Sequence, residues 1–131
     1  MALIATENQK FSNVVKQEYN PDMAYCRATV VVNGPAATLA VGTVVGKVTA
    51  TGKYKVSIET AVDGSEVAAG IVVVEKAVAA STDTNVVIMN RGPASVNKAG
   101  LVLDATYDDA TKKGVVYASL EAVGIQVLNA V

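Results

Sequence analysis

The 131-residue chain contains no histidine and no tryptophan, one phenylalanine, one cysteine and three prolines. Without histidine the commonest general base and metal ligand is missing, so Ser-His-Asp and Cys-His catalysis cannot be assembled within one chain. The lone Cys26 excludes an internal disulfide and is expected as a small apolar packing residue. Long hydrophobic runs are missing too. The longest, VAAGIVVV at residues 67–74, stops at Glu75 and Lys76, well short of the ~20 apolar residues of a membrane-spanning helix. The opening MALIATENQK has no basic stretch before its short apolar run, so a secretory signal is not expected. Neither sign of charge is in excess: 11 Lys and Arg against 12 Asp and Glu leave a net charge of −1. No basic stripe or aromatic-rich strand marks a nucleic-acid surface. A soluble chain is expected, with neither a membrane nor a nucleic acid as its partner.

What the chain has instead is valine, 25 residues, and alanine, 21 residues. β-Branched valine fits a pleated surface, and small side chains build thin cores that gain further burial when subunits associate. The length suits one domain.

One stretch invites comparison with a phosphate-binding loop. VVGKVTATGKYKV, residues 44–56, carries a glycine and then a Gly-Lys pair. Such a loop needs four residues between its glycines and a Ser or Thr after the lysine, whose hydroxyl serves a magnesium ion. Here five residues separate Gly46 from Gly52, and Tyr54 follows Lys53. Residues 53–59 alternate polar and apolar, the period of a half-buried strand rather than of a helix. Thr51-Gly52 is therefore expected to be a hairpin turn, with glycine supplying a positive φ.

Other candidates for chemistry read as structural. Ser65, in DGSE, lacks an adjacent activating base and suits a polar turn. Asp108 and Asp109 fit the first turn of a helix, where neighbouring side chains diverge instead of converging on a metal. Lys53 and Lys55 lack the flanking residues of a lipoyl or biotinyl carrier and suit the wet face of an edge hairpin. No enzyme activity, cofactor or metal site is expected.

Residues 1–22 stand apart as a polar segment with isolated apolar positions at Phe11, Val14, Val15 and Tyr19, closed by Asn20-Pro21-Asp22. Phe11, Val14 and Val15 could share one helical turn, but the segment is too short and polar to hold itself folded. It reads as an arm that becomes ordered on a partner through those four side chains, with a frayed terminus as the alternative. Residues 23–131 then form a single β-rich domain. Strands are expected at 28–33, 43–50, 53–58, 71–75, 86–89 and 101–103. The Ala-rich piece 67–69 is expected to end at Gly70, and the run 71–75 to be buried on both faces. Thr106 followed by Asp109 predicts a capping box opening a carboxyl-terminal helix, with Val116, Leu120 and Val123 on one stripe and Gly124 just past its end. The fold class is mainly β, with one carboxyl-terminal helix and an extended amino-terminal arm.

Taken in order, VGTVVGKVTATGKYK, DGSEVAAGIVVVE, VVIMNRGPASVNKAGLVLDA and the closing LEAVGI resemble the head decoration proteins of lambda-type tailed bacteriophages. The resemblance spans roughly residues 26–127. It implies a β-clip-like domain that forms homotrimers at local threefold positions on the outer surface of the expanded head, binds the major capsid protein and acts as cement. It also implies an arm that is ordered only on the capsid, which suits Phe11, Val14, Val15 and Tyr19. A tail- or fibre-associated virion protein on a similar scaffold is the alternative.

Overall fold

The computed structural model of the protein describes residues 15–18, 26–33 and 36–128. Its strands are β1 (Val15–Glu18), β2 (Arg27–Val32), β3 (Ala37–Leu39), β4 (Val44–Lys47), β5 (Tyr54–Val56), β6 (Ala68–Val72), β7 (Lys76–Val78), β8 (Thr84–Met89), β9 (Ala94–Asn97) and β10 (Ile125–Leu128). A 3₁₀ turn at Lys98–Gly100 follows β9, and helix α1 (Ala110–Ala122) precedes β10. The fold is mainly β with one carboxyl-terminal helix, as expected.

Five strands close into a barrel in the order β2-β5-β4-β6-β8. All its pairings are antiparallel except β2 with β5, which close it in parallel at Val32 and Tyr54. Two smaller sheets flank it, β1-β9-β10 and the ribbon β3-β7.

Adjacent apolar residues along the barrel strands serve two different cores, because successive side chains of a strand point to opposite faces. Val45, Val72, Val86 and Ile88 join Val32 inside the barrel, where Tyr54 and Val56 pack against them, and Leu39 and Val78 of the ribbon complete this cluster. Their neighbours Val44, Ile71 and Met89 point outward, into a second core with Val96 of β9, Val116 and Leu120 of α1, and Ile125 of β10. Burial on both faces is thus why VV, IV and IM occur as pairs. It was expected of residues 71–75, and it holds for Ile71, Val72 and Val73, whereas Val74 is half exposed.

Several local expectations are met. Gly52 has φ +72° and donates its N–H to the Val48 carbonyl at 2.8 Å, turning the chain between β4 and β5. On α1, Val116 and Leu120 are buried, and Gly124, with φ +91°, donates to the Glu121 carbonyl at 3.0 Å.

Four expectations are corrected. Gly70 does not end a piece but lies inside β6, pairing with Val45. A Cβ there would meet Ile88 Cδ1 and the Met89 carbonyl oxygen at 2.9 Å, so the close approach of β8 and not chain termination accounts for the glycine. Residues 101–103 form no strand; Val102 makes an isolated parallel bridge to Thr43. The helix cap is Asp109, whose carboxylate accepts the Lys112 N–H at 2.8 Å, and not Thr106, whose hydroxyl donates to Asp104 at 2.8 Å. Finally, β5, with its two lysines, is not an edge but sits between β2 and β4.

Candidate functional site

The residues considered for chemistry are each engaged in holding a turn or a strand. Ser65 is fully buried and donates its hydroxyl to Asp63 at 2.6 Å, and its N–H reaches the same oxygen at 3.1 Å. That is the geometry of an Asx turn, and a carboxylate already committed to Lys55 at 2.6 Å is a poor activating base. The Lys55 ammonium, with the Ser65 hydroxyl and N–H after it, holds the Asp63 carboxyl far below the usual carboxylate range. Lys53 pairs with Asp83 at 3.0 Å, and Asn33 donates to the same carboxylate at 2.7 Å. Asp108 pairs with Lys112 one turn on, at 3.1 Å, while Asp109 caps the helix. The two carboxylates therefore diverge as expected. Among the described residues no cluster of three or more His, Cys, Asp or Glu could hold a metal ion. Likewise, no described helix is long and apolar enough to cross a membrane. Cys26 is fully buried in the outer core, the packing role expected of it.

The depressed Asp63 carboxyl has a pH signature. A carboxylate whose folded pKa lies below its ordinary value of 3.8 contributes stability that is complete above that value and is lost as the pH falls through the folded pKa. Asp63→Asn should therefore lower Tm at neutral pH and flatten the fall of Tm on acidification below pH 3.8. Parallel Tm-against-pH curves for the two proteins would show that the pair adds nothing.

A second polar cluster could not be read from local patterns. The Tyr107 hydroxyl donates to the Glu66 carbonyl at 3.0 Å and accepts from the fully buried Ser57 hydroxyl at 2.8 Å. Beside it the Glu59 N–H donates to the Thr106 hydroxyl oxygen at 3.0 Å. These bonds clasp the long connection between β5 and β6 to the chain just ahead of α1. Each partner is a single polar residue some 40 to 50 positions from its mate, so no spacing announces the pair.

Of the four arm positions, Phe11, Val14 and Tyr19 lie outside the described residues. Val15 opens β1, pairs with Val96 of β9 and is 7% exposed in the outer core. β1 runs antiparallel to β9, which places Val15 opposite Val96, at the end of β9 that leads through Asn97 into the 3₁₀ turn. Beyond β1 the sheet has no further strand among the described residues.

The side chains considered for chemistry are thus held in turns, caps and clasps on a β-barrel domain. The chain belongs to the Bacteriophage lambda head decoration protein D family, whose family model matches residues 4–125. No curated protein matches it. Membership makes it a decoration protein of a phage capsid, a structural component of the virion, in a family that is not one of enzymes.

Proposed function

We propose that the protein binds as homotrimers at the local threefold positions on the outside of the expanded phage head, holds to the major capsid protein through its amino-terminal arm, and stabilises the shell against the pressure of packaged DNA. The observation that carries this reading is the family match over residues 4–125, which takes in most of the arm as well as the body. Phe11, Val14 and Tyr19 are the side chains assigned to meet the capsid. Val15 keeps a place in the set as the root of the arm, since its burial against β9 anchors whatever precedes it. Three arms on one rigid body act multivalently: once one is docked, the others bind at high effective concentration, so a weak arm suffices. No cofactor is needed, because cementing requires only burial and backbone pairing across the seam.

The experiment is co-sedimentation with expanded, undecorated heads, comparing the full chain with one lacking residues 1–14, which leaves β1 in place. The full chain should bind saturably and the shortened chain at least about 100-fold more weakly, the scale of a lost multivalent contact. Sedimentation equilibrium should give the full chain a mass three times its 13.4 kDa, and the shortened form three times its own smaller chain mass. Equal binding by the two forms would remove the arm from the mechanism, and a monomeric full chain would remove the trimer.

A further inference from the structure

Among the described residues the most exposed large apolar side chain is Val62, at 96%. It stands on the connection between β5 and β6, where the chain is pinned on either side of it. Before it, the Ala61 N–H donates to the Ile58 carbonyl at 3.1 Å. After it, Asp63 holds Lys55 through its carboxylate at 2.6 Å and accepts the Thr49 N–H on its carbonyl at 2.9 Å. Val67, also exposed, lies on the same connection. A single exposed valine is ordinary on a protein surface. One held between two pins is a preformed knob, because its backbone freedom is already lost on folding and docking costs little more.

The molecule also carries an apolar receptor. Lys55, Val56 and Ile58 line a hollow of about 210 Å³ that shares Ala37, Val56 and Asp104 with a groove of about 270 Å³, lined by β3 and by residues 102–105. The lining is mostly apolar, and Val102 within it is 42% exposed. Its two charged residues are satisfied inside the chain, Lys55 by Asp63 at 2.6 Å and Asp104 by the Thr106 N–H at 3.1 Å and hydroxyl at 2.8 Å. The knob is matched in charge, since the one charged residue next to it, Asp63, is the partner of Lys55. Joining knob and groove therefore buries no unpaired charge. Val62 is too exposed to be filling the groove of its own chain.

We propose that Val62 of each copy docks in this groove of the next, as the contact that closes the homotrimer. The inference rests on the homotrimer proposed above and assigns its interface. Knob and groove are different patches, so their union is a heterologous contact, and three such contacts close a ring with neither patch left over. Both patches adjoin Lys55, which gathers the three contacts around one axis.

Sedimentation equilibrium should be run on the full chain, on Val62→Asp and on Val115→Asp, which alters an exposed valine of α1. A loss of about tenfold per contact, the low end for burying a valine, multiplies over three contacts to about 1,000-fold in trimer association. Val62→Asp should therefore sediment as a monomer at concentrations where the full chain and Val115→Asp are trimers. Trimers of all three proteins overturn the contact and leave the homotrimer standing, whereas a monomeric full chain removes the homotrimer and the contact with it. The groove side is read from Val62→Cys/Val102→Cys oxidised with glutathione disulfide, in which Cys26, fully buried, takes no part. A covalent trimer is expected. A covalent dimer, a bond within one chain or no bond at all overturns the proposal.

Discussion

Gly46→Ala should destabilise the protein by about 3 kcal/mol or more, at or above the upper end of ordinary overpacking, and lower Tm by about 10 °C. Gly46 lies in β4, whose backbone is paired on both sides, to β5 and to β6. A Cβ built on it runs into the carbonyl oxygen of Ser65, with the Ser65 carbonyl carbon and Cα only 2.7 Å away. These are backbone atoms and cannot rotate aside as a side-chain tip would. The turn that carries them is itself held, with Ser65 fully buried, Asp63 bonded to its N–H and hydroxyl, and the Thr49 N–H donating to the Asp63 carbonyl at 2.9 Å. A methyl group at position 46 must therefore displace either a central barrel strand or the clasped turn, and each move breaks bonds of buried groups. Urea unfolding of the two proteins measures the loss, and a change under about 1 kcal/mol would mean that the turn moves aside freely.

Leu120→Ala should cost about 2–5 kcal/mol, the range for deleting a fully buried leucine, with the exact value set by how far the cavity collapses. Leu120 is fully buried on α1, which packs against β10 and β6. Its outer core also holds Ile71, Val96, Val116 and Ile125, three of them on strands tied into sheets on one or both sides. Strands so constrained cannot close round the space that the side chain vacates. Leu120→Met, which keeps the volume, should cost less than about 1.5 kcal/mol. Denaturant midpoints of the two variants at matched slope test the pair, and equal losses would show that the site is not close-packed.

The separation of legible from illegible features follows the range of the interactions involved. Strands β2, β4, β5 and β8 could be located from the sequence because each carries a valine-rich or alternating pattern bounded by Gly, Pro or Asn. The turn at Gly52 and the stripe on α1 were equally local. The strands β1, β3, β7, β9 and β10 could not be found this way. Each is three or four residues long, and VKQE, ATL, KAV and ASVN carry too little apolar signal to stand out. They are strands because a partner lies alongside: β1 pairs with β9 from 81 residues earlier in the chain at Val15 and Val96, and β10 joins the same strand in parallel.

Thr106 shows the same limit at the scale of one residue. The Thr-x-x-Asp spacing suggested that its hydroxyl would cap the helix, yet the hydroxyl is taken by Asp104 and by the Glu59 N–H, so Asp109 caps in its place. Sequence spacing cannot register the competitor, which is a backbone group 47 positions away.

By itself, then, the sequence determined the class of fold and the family: valine-rich strands led to a mainly β chain, and ordered motifs over most of its length led to the right family. Tertiary structure alone decided which faces the paired valines serve, which glycines admit a neighbouring backbone, and that Val15 is buried beside β9. The physical reason is that propensity and periodicity act within a few residues, whereas burial and strand pairing are settled by whatever segment the fold brings alongside.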